Sequence, residues 1–190
     1  MPMHFKDRDV VSPLAGINSA LIVPCFMCPA VTLAVREGKP FLQGFRNPLK
    51  SLPFNDYLKD LQARLAKEGI VSKVFGAGFY HQWFMCMWTW RRRKKLAREA
   101  KKFDAVIVMG CGSATETVLQ ATKDTDCKVV EGMEFTGIMN AKMTFHLPCN
   151  VTFEDCNVCT AAPIFGPEGA VMKSHSHTHG NRRRKSADIV

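Results

Sequence analysis

The sequence predicts an α/β fold, a mostly parallel Rossmann-like or flavodoxin-like sheet flanked by helices, with a cysteine-rich loop segment towards the C-terminus. Three observations carry this. Short apolar, β-branched runs alternate with longer helix-forming stretches between residues 20 and 131. One run, Ala105–Met109, is apolar without interruption, as a strand buried on both faces must be. Cysteines recur just after these runs, where strands give way to helices. That edge of an open α/β sheet is where ligands bind.

Taken in order, residues 1–18 read as an irregular lead-in. Residues 20–23 form a short apolar strand running into Pro24-Cys25-Phe26-Met27-Cys28-Pro29, and residues 30–36 read as a helix. A Cys-x-x-Cys on a strand-to-helix turn is either a thioredoxin-like redox pair or half of a metal or iron–sulfur site. Residues 37–54 are a Gly- and Pro-rich connector. Asn55 is the expected N-cap of a helix over 56–68, with Tyr57, Leu58, Leu61 and Leu65 on one face and Gly69 closing it. Residues 70–75 are the next strand.

Residues 76–90 gather all three tryptophans, Trp83, Trp88 and Trp90, around Cys86. They read either as an aromatic helix face packed on the sheet, or as an apolar wall shielding a cofactor or receiving a partner. Residues 91–102 continue as a strongly basic helix, a solvated face or a contact surface for an acidic partner.

The central strand ends in Gly110-Cys111-Gly112, a turn that small residues allow. Ser113 is the expected N-cap of a helix through Thr122, with Glu116 completing a capping box. Gly110, Gly112 and Ser113 would suit a phosphate or nucleotide at the helix N-terminus, although the turn is not a Gly-x-Gly-x-x-Gly fingerprint. Residues 127–131 form a further strand. After Gly137 the pattern turns loop-like over 140–163. This stretch carries Cys149 and a second Cys-x-x-Cys, Cys156 and Cys159, with His146 as a further candidate ligand. The expected organisation is an α/β domain over 1–138, a cysteine-rich metal-binding extension over 139–170, and a disordered His/Arg-rich tail over 171–190.

The net charge is +9 over 190 residues. Residues 88–102 carry eight positive charges against one negative, and residues 173–190 five against one, leaving −2 for the rest. The basicity is therefore local, and nucleic acid is not the expected partner. Residues 16–35 lack charge but are interrupted by Asn18, Pro24, Pro29 and two cysteines. They suit neither a membrane span nor a signal peptide. A cytoplasmic chain with eight cysteines points to metal or cluster ligation over disulfides.

The cysteine order resembles that of the methylenetetrahydrofolate reductase C-terminal family, a small zinc or iron–sulfur subunit or domain found beside a flavin-containing reductase. The likeness spans roughly residues 19–162. It rests on Cys25 and Cys28, on Cys86 upstream of a strand ending in Cys111-Gly112, and on Phe153-Glu154 followed by Cys156 and Cys159. Where that family continues into more cysteines, this chain reads Phe165-Gly166-Pro167-Glu168-Gly169. The resemblance implies a metal or iron–sulfur protein of one-carbon metabolism, partnered by a flavin reductase or electron-transfer subunit.

Three functions follow. The first is an accessory subunit holding a 4Fe–4S cluster, or zinc, through four of Cys25, Cys28, Cys86, Cys111, Cys156 and Cys159. No catalytic base is assigned; His81 and Glu116 are the nearest candidates. The second is a stand-alone redox enzyme with Cys111 as nucleophile and Cys25/Cys28 as dithiol. The third is a zinc-stabilised nucleic-acid-binding module using the basic helix.

Overall fold

The computed structural model describes residues 3–43, 51–76, 84–147 and 150–159, with Asp155 and Cys159 in backbone only. Two four-stranded sheets make up a mixed α/β fold. The first is wholly parallel. Its strands are β2 (Ser19–Pro24), β4 (Val71–Val74), β5 (Ala105–Met109) and β6 (Lys128–Glu131), in the order β4-β2-β5-β6. The second is antiparallel. Its strands are β1 (Met3–Asp7), β3 (Leu42–Gln43), β7 (Met133–His146) and β8 (Asn150–Cys159), in the order β1-β7-β8-β3.

The apolar runs of β2 and β5 are explained by burial on both faces. Ala20, Ile22, Ala105, Ile107 and Met109 pack into one core, with helices α1 (Cys28–Glu37) and α2 (Leu52–Lys67). Leu21, Val23, Val106 and Val108 pack into the other, with α3 (Trp90–Ala100) and α4 (Gly112–Thr122). Side chains alternate across a strand, so a strand between two helix layers has no polar position to spare.

α1 also packs against β1 and β8, which ties the second sheet to the first core. A buried side chain fastens this contact. Thr32, 1% exposed, donates its hydroxyl to the carbonyls of Met3 at 3.0 Å and Cys28 at 3.1 Å. Thr32→Val keeps the shape and removes the donor. It should lower unfolding stability by about 1 kcal/mol, read by denaturant titration; an unchanged midpoint would show that the hydroxyl adds nothing.

Four expectations are corrected. The lead-in contains a real strand, β1, held by pairing to β7. Residues 140–163 are not loop-like where described: β7 and β8 form a long antiparallel hairpin, and β7 runs through residues 138 and 139. α2 begins after Ser51 instead of Asn55, because Pro53 pre-organises its first turn and Asn55 N–H already bonds Ser51 C=O at 3.0 Å. The α4 capping box does not form. Cys111 is the N-cap, its carbonyl taking the Ala114 and Thr115 amides at 2.8 and 3.0 Å, while Glu116 bonds Gln120. No helix among the described residues is long and apolar enough to cross a membrane. The residue 171–190 tail lies outside the described residues.

Candidate functional site

The parallel sheet reverses its direction of growth between β2 and β5. β2 is followed by β4 on one side, and the chain then returns to place β5 on the other. Helices leaving these two strands go to opposite faces, so a crevice opens at their carboxyl ends. Cys25 follows β2 directly, and its amide donates to Met109 C=O at the end of β5, 2.9 Å away. Cys111 lies two residues beyond Met109. Neighbouring strands are about 4.8 Å apart, so these cysteines leave the sheet side by side.

Two more cysteines join them. Cys28 is the first residue of α1, with Pro29 in its opening turn. Cys86 lies in the 3-10 turn Met85–Met87, which packs against α4. Burial pushes the Cys25 pKa up to about 11, opposed by the Met85 and Met27 amides at its sulfur and reinforced by charge repulsion from Cys28 and Cys111. Burial also raises Cys28, opposed by the Met3 amide and reinforced by repulsion from Cys111 and Cys86. Ionising Cys25 is thus opposed by charge at Cys28 and Cys111, and ionising Cys28 by charge at Cys111 and Cys86. The four cysteines come from three separate strand-to-helix connections.

The other predicted residues stand elsewhere. Cys156 packs partly buried against the first core, and burial raises its thiol. Cys156 and Cys159 share the extended strand β8, where three residues span roughly 10 Å. Their backbone positions therefore differ from the tight turn of Cys25 and Cys28. Ile138 pairs with Cys159 on one side and Met3 on the other, which brings the end of β8 two strands from the Met3 amide. Cys127 sits at the opposite edge of the parallel sheet, 2.9 Å from Thr125 Oγ1. His146 is 2.8 Å from Thr152 Oγ1 at the far end of the hairpin. Cys149, His81 and Trp83 lie outside the described residues.

Gly110 and Gly112 play different parts. A Cβ on Gly110 would lie 2.6 Å from Ala114 Cβ and 3.3 Å from Cys25 Cβ, whereas Gly112 faces open space. Gly110 is thus the contact that lets β5, α4 and Cys25 close on one another. Ser113 is exposed, and its carbonyl accepts from Thr117 Oγ1 at 2.8 Å. The aromatic wall divides. Trp88 is buried against Phe75, while Trp90 is 70% exposed.

One feature escaped the sequence reading. Arg92, 7% exposed, lies between Phe75 and Trp88, with its guanidinium carbon 4.9 and 5.0 Å from the two ring centres. Its signal was the four-residue spacing of Trp88, Arg92, Leu96 and Ala100, which puts one cation of the basic run on the inward face.

The Cys25 environment has a consequence for metal-free protein. Unfolded, this thiol ionises near its ordinary 9.0; folded, it keeps its proton to about 11. Its contribution is complete below pH 9. Between 9 and 11 the unfolded chain sheds a proton that the folded protein retains, so stability should fall by about 2–3 kcal/mol. Denaturant unfolding from pH 8 to 11 should show this fall, and Cys25→Ala should make it shallower, with burial of Cys28 and Tyr57 supplying the remainder; equal slopes would refute the assignment.

Among the described residues, no three or more His, Cys, Asp or Glu side chains stand already spaced around one ion. What the arrangement offers is donor chemistry: soft sulfur ligands near one strand edge, Cys25 buried, Cys28 and Cys111 half-buried and Cys86 exposed, with backbone amides directed at two of them. Comparison of the chain with family models, curated proteins and solved structures yields no match.

Proposed function

We propose that this protein is an accessory metalloprotein subunit, holding a 4Fe–4S cluster or zinc through Cys25, Cys28, Cys86 and Cys111. The observation that supports the reading is the placement of Cys25, Cys28, Cys86 and Cys111 in three strand-to-helix connections at the carboxyl edge of the parallel sheet, with Cys25 and Cys111 leaving paired strands. Burial disfavours the ionised forms of Cys25 and Cys28, and a bound cation would offset that cost. The donor set fits an iron–sulfur cluster or zinc in type and number. When bound, a cluster supplies one-electron transfer and zinc a structural or Lewis-acid centre.

This chain's part is to bury Cys25 and direct amides at two of the sulfurs. The Met85 and Met27 N–H groups at Cys25, and that of Met3 at Cys28, would lower the charge density on the sulfurs. The strand order β4-β2-β5-β6 supports a flavodoxin-like half, built to present a cofactor at the switch point. The family resemblance extends the reading to a cytoplasmic subunit of one-carbon metabolism, working beside a flavin-dependent reductase or electron-transfer partner. Cys156 and Cys159, both on β8, are the candidates to take the place of any of Cys25, Cys28, Cys86 and Cys111 that does not ligate.

The alternative redox dithiol finds less support. A reactive Cys-x-x-Cys needs a lowered thiol pKa, and burial raises both Cys25 and Cys28. Iron, zinc and acid-labile sulfide analysis on protein purified without oxygen tests the proposal. Iron and sulfide in near-equal amounts, with absorption near ~400 nm, identify the cluster. Zinc without sulfide selects the other centre, and absence of both refutes the reading.

A further inference from the structure

The corner where the chain enters α3 carries, on either side of the proposed ligand Cys86, apolar side chains that the centre does not use. Phe84, Met87 and Trp90 stand 44%, 70% and 70% exposed there. Phe84 is the only non-glycine residue at positive φ among the described residues, at 50°. Strained backbone of this kind concentrates at functional sites, and here it holds a large apolar ring out in water.

The next exposed side chains are cations. Arg91, Lys94, Lys95 and Arg98 make no ion pair among the described residues, because Glu99, the one acid of α3, is taken by Lys73 and Lys102. Their spacing along the helix sets like charges against one another. The first turn carries no acid to meet the helix dipole. Lys94 Nζ lies 4.8 Å from the Trp90 ring centre, which joins the charged and apolar parts into one patch. Folding gains nothing from exposing this combination, whereas an anionic surface complements it.

We propose that this corner docks on an anionic phospholipid bilayer, with Phe84, Met87 and Trp90 entering the boundary between headgroups and acyl chains and the α3 cations meeting the headgroup charge. Two grounds favour lipid. Single apolar side chains at a turn, one of them Trp, suit the membrane interface. Half of the four unpaired cations are Lys, which protein interfaces deplete and which diffuse lipid charge accepts without fixed geometry. Single-stranded nucleic acid would need a run of stacking rings along a basic groove, and Trp88 is buried.

The full chain is sedimented with vesicles of about 30% phosphatidylserine in phosphatidylcholine, at about 0.1 M salt. Binding should be at least ~10-fold weaker to phosphatidylcholine alone, and at least ~10-fold weaker for Lys94→Glu/Lys95→Glu. Trp90→Ala should weaken binding by about threefold or more. The charge reversal relieves repulsion within α3, so the variant should fold, which circular dichroism checks; Arg98→Glu is the second charge variant. Metal and sulfide content should be unchanged in all three, so the docking face and the thiol centre are judged separately. No binding to phosphatidylserine vesicles overturns the proposal. So does binding that survives the α3 variants but is lost when residues 182–185 become Ser. Binding of oligothymidylate that these variants abolish, without vesicle binding, assigns the patch to nucleic acid instead.

Discussion

Serine at both Cys25 and Cys111 should strip the protein of its metal centre, reducing bound iron or zinc more than ~10-fold to background. These two thiols leave adjacent parallel strands, and Cys111 adds to the cost of ionising Cys25. A hydroxyl at either place is a poor ligand for soft metals, and losing two of four donors leaves no closed site. Cys127→Ser is the matched control, because that thiol lies at the other edge of the sheet beside Thr125; its metal content should equal that of the parent. A double variant that keeps its metal would place the centre elsewhere. Cys156→Ser then decides whether β8 contributes a ligand.

Alanine at Gly110 should cost about 3 kcal/mol of unfolding stability, more than an ordinary surface change in this protein. The added methyl would lie 2.6 Å from Ala114 Cβ and 3.3 Å from Cys25 Cβ. Neither is the end of a flexible chain, so α4 must move away from the sheet or Cys25 must leave its place. Gly112→Ala, one turn position away, meets nothing within 4 Å. It should change stability by no more than about 0.5 kcal/mol, because alanine also favours the helix it opens. Denaturant titration of both variants makes the comparison. Equal midpoints would mean that the close approach of β5, α4 and Cys25 is not needed for stability. If the centre assembles as proposed, Gly110→Ala should also weaken metal binding, since it displaces Cys25.

The parallel half of the molecule was legible because its signals are local. β2 and β5 announce themselves as apolar runs with no polar position, and α2 as a periodic face of Leu58, Leu61 and Leu65. The antiparallel half was not. β7 reads Met-Glu-Phe-Thr-Gly-Ile-Met-Asn-Ala-Lys-Met-Thr-Phe-His, and its inward positions include Gly137 as well as Met133 and Met139. Alternation is blurred there by an irregular register between Asn140 and Lys142. β1 is five residues long and gains its identity only from a distant partner. At the site, chain order was enough to put cysteines at strand ends. It could not distinguish Gly110 from Gly112, since that difference lies in what Ala114 and Cys25 occupy. Nor could a run of five basic residues declare that one of them, Arg92, sits between two rings.

The pairing of β1 with β7 has a bearing on how the protein is made. His4 and Thr136, hydrogen-bonded at 2.7 Å, are 132 residues apart. At ordinary rates of translation, β1 leaves the ribosome roughly 7 to 26 s before its partner exists. Meanwhile the parallel sheet, residues 19–131, can assemble, with the inward ring of Phe5 still waiting for the hairpin that covers it. Lys6, Asp7 and Arg8 guard this early strand with charge, which keeps a lone edge from pairing with a neighbouring chain. Closing the second sheet then waits for β7 and β8, and it seals α1, with Cys28 at its head, beneath the hairpin.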